Sequence, residues 1–193
     1  MNQDRPTRLV LLARPGAGKS TQARLLAGRL GVVHVATGAL LRREVAASST
    51  LGNVLAPLLD RGDLAPDELV EAIVTPALER AVAAGGYVLD GYPRNLAQAR
   101  ALTETAPGRL DPQVVLSLEV DALECRRRLL ERASRERRSD DTPGVIAQRL
   151  AVYERDTAPV LEYYRSAGIL VPVDGHASPE VVTGRILTLL GLA

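Results

Sequence analysis

Short apolar runs alternate along the chain with longer stretches in which apolar residues recur at helical spacing. Residues 9–13 are apolar throughout, which is typical of a strand covered on both faces. Residues 18–30 carry their apolar side chains on one face of a predicted helix. Further short apolar runs lie at residues 32–35, 86–90, 114–120 and 169–173. With a helix between each pair, the alternation predicts an α/β fold: an open, parallel, five-stranded sheet with helices on both faces.

Two stretches interrupt this alternation. Residues 36–65 are predicted to hold small helices between the second and third strands, and residues 131–141 are predicted to form a polar, charge-dense loop. We interpret both as insertions in a single domain that spans residues 1–193. Ligands of open α/β sheets bind beyond the carboxyl ends of the strands, so both insertions are expected beside the ligand site.

Composition narrows the class of protein. The formal net charge is +1, so no overall positive field favours a nucleic-acid partner. Lys19 is the one lysine among 24 cationic residues, which marks it as a position that needs an ammonium group. The single cysteine, Cys125, excludes a disulfide within the chain and is predicted to be a structural thiol. A polar start and the lack of an apolar run of about 18 residues predict a cytoplasmic protein with no membrane partner.

A glycine-rich segment, residues 13–20, joins the first strand to the first helix. It matches the phosphate-loop pattern except that Ala13 replaces the first glycine. Glycines in such a loop let successive N–H groups point inward, and the helix start adds partial positive charge. We therefore predict that this segment binds the phosphates of a nucleotide. The predicted phosphate-binding residues here are Gly16, Ala17, Gly18, Lys19, Ser20 and Thr21.

A second set of polar residues follows the second and third strands. Asp90 ends an apolar strand, where its carboxylate could hold a water of a Mg²⁺ shell. Arg94 follows a Gly-Tyr-Pro turn, and Arg42 lies in a helix that begins near Thr37; both guanidinium groups could bind a phosphate. The Gln98 amide could donate to a ring nitrogen of adenine while it accepts from the exocyclic amine.

Seven arginines lie between residues 126 and 138. Acidic residues are interleaved with them, and the chain has no Phe or Trp to stack on bases, so a nucleic-acid surface is disfavoured. Arg128 and Arg132 share a helix face, and Arg149 lies about two turns into the next predicted helix. A hinged loop would bring these guanidinium groups onto one polyphosphate.

Four segments resemble, in the same order, the motifs of the adenylate kinase family. They are residues 15–22, 37–42, 90–98 and the arginine-bearing region 128–149. The resemblance implies a P-loop NTPase-type kinase fold and reversible phosphoryl transfer from ATP–Mg²⁺ to AMP, giving two ADP for adenine nucleotide homeostasis. It implies a monomer of the short-lid form. The lid contains no cysteine, which excludes the zinc-binding long-lid form.

The resemblance also implies roles for individual residues. The implied catalytic residues are Lys19, Asp90, Arg94, Arg132, Arg138 and Arg149. On the ATP side the resemblance implies the phosphate-loop residues 16–21, Arg128 stacked on the adenine, Arg132, and the backbone near Ala177. It also implies that Asp140 and Asp141 hold the lid in place. The implied AMP-binding residues are Thr37, Arg42, Asp63, Leu64, Ala65, Gly91, Tyr92, Pro93, Arg94, Gln98, Arg138 and Arg149. No side chain is expected to bind Mg²⁺ directly, since it arrives with ATP and is held through water by Ser20, Thr21 and Asp90.

Some positions depart from the family pattern and keep alternatives open. Ala13 and Ser20 replace glycines, and Ala39 replaces an acid that helps to organise Mg²⁺ waters. Asn95 favours a UMP/CMP kinase, whereas Gln98 favours adenine. If the departures remove turnover, the chain would be a non-catalytic nucleotide sensor. An arginine-rich nucleic-acid binder is the third alternative.

Overall fold

The computed structural model describes residues 7–104, 107–136 and 142–192. Its sheet has five parallel strands in the order β2-β3-β1-β4-β5, which confirms the predicted fold class. The strands are β1 (Arg8–Ala13), β2 (Val33–Ala36), β3 (Tyr87–Asp90), β4 (Val114–Glu119) and β5 (Leu170–Asp174). In the centre of the sheet, Leu11 of β1 lies level with Asp90 of β3 and Leu116 of β4. The carboxyl ends of these strands therefore meet at one edge.

Helices cover both faces of the sheet, as predicted. They are α1 (Lys19–Leu30), α2 (Thr37–Ala46), α3 (Thr50–Arg61), α4 (Asp67–Ala83), α5 (Leu96–Glu104), α6 (Ala122–Glu136), α7 (Pro143–Val152), α8 (Ala158–Ser166) and α9 (Pro179–Leu189). A π-helical turn, Tyr153–Thr157, joins α7 to α8. Alternate residues of β1 enter two separate cores: Leu9 and Leu11 face α1 and α9, whereas Val10 and Leu12 face α4, α5 and α8. Burial on both faces explains the unbroken apolar run of β1.

The segment 36–65 contains α2 and α3, as the sequence predicts. Ser49 begins α3 as its N-cap, and its hydroxyl accepts a hydrogen bond from the Gly52 N–H at 2.9 Å. The two helices pack closely at Gly52, where an added Cβ would lie 2.1 Å from the Glu44 carbonyl oxygen. Leu41 and Leu55 are buried and join the core on the α4 side of the sheet. The insertion is thus packed against the domain.

The predicted loop at residues 131–141 is wrong for its first half, because α6 continues to Glu136. Good helix formers and the absence of Gly and Pro extend the helix, and an Arg127–Glu131 ion pair at i,i+4 supports it. Charge density alone does not end a helix. Residues 137–141 lie outside the described residues. The roles of Arg138, Asp140 and Asp141 therefore stay predictions.

Cys125 is buried in α6, as predicted for a structural thiol. Within the described parts of the chain, no helix combines the length and apolar character needed to cross a membrane.

Candidate active site

The glycine-rich loop turns between β1 and α1 at the carboxyl edge of the sheet. Gly16 has φ +89° and Gly18 has φ +97°, a region that other residues rarely adopt. A Cβ at Gly16 would lie 2.3 Å from the Cys125 carbonyl oxygen of α6. Ala13, where the pattern has glycine, is the last residue of β1 in extended backbone, so its methyl group causes no strain there.

Lys19 is the first residue of α1, and its side chain folds back over the loop. Its Nζ donates to the carbonyl oxygens of Ala13 at 3.0 Å and Arg14 at 3.2 Å. The pKa of Lys19 is lowered to about 8, chiefly by burial; the Asp90 carboxylate opposes this shift, and the charges of Arg94 and Arg149 add to it. The ammonium group is therefore held at a cost that an incoming phosphate would offset.

The Asp90 carboxylate lies at the end of β3 and is 6% exposed. Its Oδ2 accepts a hydrogen bond from the Ser20 hydroxyl at 2.5 Å and lies 4.0 Å from Nε2 of His34. The Ser20 hydroxyl thus adds an oxygen beside the Asp90 carboxylate. The family pattern has glycine at position 20. Ala39 lies exposed in α2, where the family pattern has an acid.

A cleft of about 500 Å³ opens above these groups and gathers most of the predicted phosphate-binding residues. Its polar lining includes Lys19, Ser20, Thr21, Arg42, Asp90, Arg94, Arg128, Arg132 and Arg149. Four of the five cations predicted to be catalytic therefore face one space, and the fifth, Arg138, lies outside the described residues. A smaller cavity of about 70 Å³ adjoins it, lined in part by Leu64, Gly91 and Pro93.

Arg94 is fixed from two sides. Its Nε donates to the Gly91 carbonyl oxygen at 2.9 Å, and the Thr157 hydroxyl donates to the Arg94 carbonyl oxygen at 2.7 Å. Burial lowers the pKa of Arg94, and the charge of Arg149 adds to this effect. The π-helical turn, which contains Thr157, therefore supports the arginine from behind. No local sequence pattern predicts this contact, which joins residues 63 positions apart.

Arg128 lies between the phosphate loop and the segment after β5. Its Nε donates to Glu124 at 2.7 Å, and its terminal nitrogens lie 3.5 Å from the Ala17 carbonyl oxygen and 3.4 Å from that of Gly175. Hydrogen bonds from Arg127 and Arg128 lower the pKa of Glu124 to about 2. Arg128 is thus positioned beside both segments that the sequence assigned to ATP.

The segment after β5 is anchored by an interaction that sequence reasoning missed. His176 lies between two carboxylates, with Nε2 2.9 Å from Asp121 and Nδ1 3.0 Å from Asp174. Hydrogen bonds to both carboxylates raise the pKa of His176. Ala177 packs against the core on the α1 side and does not line the cleft.

The residues predicted to recognise the base lie deeper, behind the cleft. Gln98 is 2% exposed; its Oε1 accepts from the Arg94 backbone N–H at 2.7 Å, and its Nε2 donates to Asp67 at 2.7 Å. Thr37 is 1% exposed, and its hydroxyl has no hydrogen-bond partner among the described residues. Buried hydroxyl groups normally have a partner, so this one stands out on this side of the cleft.

Other residues predicted for this side form its wall. Tyr92 and Ala65 are buried, and the Tyr92 hydroxyl donates to the Gln98 carbonyl oxygen at 3.3 Å. The Asp63 carboxylate faces away from the cleft and accepts from Arg61 and from Gln148 of α7, each at 3.0 Å. Asp63 therefore connects α3 to α7.

The parallel sheet, the glycine-rich loop before α1 and the cation-lined cleft at the carboxyl edge define a protein of the P-loop NTPase type. A family model described as adenylate kinase matches residues 11–169. Curated adenylate kinases of similar length include one from Thermobifida fusca, 45% identical over 95% of this chain and 97% of the relative. One from Prochlorococcus marinus is 45% identical over 96% of this chain and 98% of the relative. The chain belongs to the adenylate kinase family.

Proposed function

We propose that this chain is an ATP:AMP phosphotransferase, which moves the terminal phosphoryl group of ATP–Mg²⁺ to AMP and forms two ADP. The observation that carries the proposal is the shared cleft of Lys19, Arg94, Arg132 and Arg149. Phosphoryl transfer needs little covalent chemistry from a protein: it needs two oxygens held in line and cations around the transferred group. A cleft of this composition supplies the cations.

On the donor side, the loop N–H groups and the start of α1 hold the phosphates of ATP. Lys19 neutralises the outer phosphates, whose negative charge would offset the burial that lowers the pKa of this lysine. Arg128 lies between the loop and Gly175, where its planar guanidinium can stack on the adenine.

Magnesium would enter this cleft as part of the ATP–Mg²⁺ substrate, where it would supply positive charge to the phosphates. The Ser20 hydroxyl and the Asp90 carboxylate are the oxygen donors that Mg²⁺ and its waters prefer, and they lie together in the cleft. Thr21 adds a third oxygen at the start of α1. With alanine at position 39, Asp90 is the carboxylate that lines this part of the cleft among the described residues.

On the acceptor side, Arg42 and Arg94 both line the cleft and bind the phosphate of AMP. Gln98 and Thr37 recognise the base, and their burial supports this role because a buried amide and hydroxyl discriminate strongly between ligands. One chain supplies both sides of the cleft, so we expect a monomer to be active.

The contacts of Asn95 bear on the UMP/CMP alternative. Its Oδ1 accepts from the Gln98 N–H at 2.8 Å, and its Nδ2 donates to Asp67 at 2.9 Å. Asn95 thus precedes α5, caps its first turn and hydrogen-bonds to Asp67, as Gln98 does. These structural contacts explain an asparagine at this position without a pyrimidine ligand. The nucleic-acid alternative also loses support, because Arg127 of α6 is paired with Glu124 and Glu131.

Steady-state kinetics of the purified protein would test the proposal. ATP and Mg²⁺ are supplied with AMP, UMP or CMP in turn, and ADP is measured with a coupled assay. We expect AMP to give the highest kcat/KM. A higher kcat/KM with CMP or UMP would show that a pyrimidine nucleotide, and not AMP, is the preferred acceptor. ATP binding without ADP formation would support the nucleotide sensor instead.

A further inference from the structure

Asp67, the first residue of α4, forms a hydrogen-bonded group with Gln98 and Asn95. Its Oδ1 accepts from Gln98 Nε2 at 2.7 Å, and its two oxygens lie 2.9 and 3.2 Å from Asn95 Nδ2. Asp67 does not line the described cleft, and it lies 31 residues from Gln98 in sequence. Its position suggests that it controls how the Gln98 side chain is presented.

The partners of Gln98 determine which way round its amide lies. The Arg94 backbone N–H can only donate, so the atom facing it at 2.7 Å must be the amide oxygen. An ionised Asp67 can only accept, so the atom facing it must be the amide nitrogen. Reversing the amide would set N–H against N–H at one end and oxygen against oxygen at the other. Donor and acceptor are therefore fixed in a single order.

This order has a consequence for the base. Each end of the Gln98 amide keeps one free position: a lone pair on the oxygen and a hydrogen on the nitrogen. That pair complements a 6-aminopurine, whose N1 accepts and whose amine donates. A 6-oxopurine has the same shape with the opposite polarity, since its N1–H donates and its carbonyl accepts. It would be read only by the reversed amide.

We propose that Asp67 is a positioning residue that makes the site select 6-aminopurine over 6-oxopurine nucleoside monophosphates. The inference rests on the proposed function, since it assumes that Gln98 faces the base of the acceptor. Asp67 acts through Gln98 and touches neither nucleotide.

Kinetics with AMP and IMP test this role, because the two acceptors differ in polarity and not in size. In Asp67→Ala we expect KM for AMP to rise about tenfold, the effect of losing one well-formed hydrogen bond. We expect KM for ATP to stay the same and the AMP-to-IMP ratio of kcat/KM to fall by a similar factor. Glu68→Ala is the matched control, since Glu68 is exposed in the same first turn of α4. It should leave the ratio unchanged.

Asp67→Asn provides a second variant if the alanine substitution prevents folding. It keeps one acceptor oxygen and should give an intermediate AMP-to-IMP ratio. NMR of the Gln98 side-chain amide gives a readout that does not depend on turnover: the order of this group should fall when Asp67 is removed.

The two proposals fail in different ways. A wild-type protein that makes no ADP from AMP would overturn the proposed function. An active wild type whose AMP-to-IMP ratio stays unchanged in folded Asp67→Ala would overturn the role of Asp67 alone. An equal loss with AMP and IMP, or a Gln98 amide that stays ordered in Asp67→Ala, would also overturn it.

Discussion

The corner formed by Asp67, Asn95 and Gln98 and the cation-lined cleft lie next to each other but are built in opposite ways. In the corner, these three residues are joined by hydrogen bonds at 2.7 to 3.2 Å. In the cleft, burial lowers the pKa of Lys19 and of Arg94, and neighbouring cations add to this effect. The corner therefore pairs donors with acceptors, whereas the cleft gathers like charges.

This difference separates selectivity from charge stabilisation. A hydrogen-bonded network around a buried amide holds its donor and acceptor in one order, so it can reject a ligand of the wrong polarity. A cluster of cations has no such preference, but it gains the most from a group whose negative charge grows in the transition state. Substitutions in the cleft should therefore lower the rate, and substitutions in the corner should alter the choice of acceptor.

The largest effect is expected from the cleft. Lys19→Ala should lower kcat by about a thousandfold, because it removes an ammonium group that stabilises the negative charge of the transferred phosphates. The cost of burying that charge disappears with it, so the fold should be retained. Arg24→Ala is the matched control, an exposed cation on the same helix. Steady-state kinetics and circular dichroism would separate lost catalysis from lost folding. A Lys19→Ala protein with near-normal kcat would contradict the assignment of the cleft.

The next effect concerns the loop that joins the cleft to α6. Gly16→Ala should lower the free energy of unfolding by about 2–4 kcal/mol, since its Cβ would lie 2.3 Å from a backbone oxygen of Cys125 at positive φ. Gly18→Ala, also at positive φ but facing open space, should cost about 1 kcal/mol. Urea unfolding measures both. Equal losses would mean that the contact with α6 is unimportant.

A pH effect should distinguish the cation-lined cleft from the corner formed by Asp67, Asn95 and Gln98. The pKa of Lys19 is about 8 in the free protein, and bound phosphates should raise it. Above pH 8 the free lysine is largely neutral while the complex keeps it charged, so ATP binding should take up a proton and weaken as pH rises. At pH 7, one unit below this pKa, only about a tenth of the free lysine is neutral, so the uptake should be small. Calorimetry in buffers of different ionisation enthalpy measures the uptake, and its persistence in Lys19→Ala would contradict the assignment.

The smallest effect is expected behind the loop. Arg14 Nε donates to Glu154 at 2.6 Å, and its guanidinium lies 5.7 Å from the centre of the Tyr153 ring. The pair is partly exposed, so Glu154→Ala should lower the free energy of unfolding by less than about 1 kcal/mol. Thermal unfolding at low and high salt would measure it. A larger loss would show that this contact holds the loop to the π-helical turn.

Local patterns predicted the strands, the loop glycines and the cations of the cleft. Apolar runs identify buried strands, and the position of Lys19 after Gly18 is visible in sequence. The prediction of a loop at residues 131–141 was wrong for its first half, because polar residues also form helices such as α6. The contacts of Asp67 with Gln98 and of Arg14 with Glu154 join residues 31 and 140 positions apart. No local pattern predicts such pairs, because the fold creates them.

The most direct test is a crystal structure of the protein with two adenosines joined by five phosphates, a mimic of ATP and AMP bound together. The account predicts that the side-chain nitrogens of Lys19, Arg94, Arg132 and Arg149 lie within hydrogen-bond distance of that phosphate chain, with one adenine against Gln98. A complex in which these four side chains point away from the phosphates would contradict it.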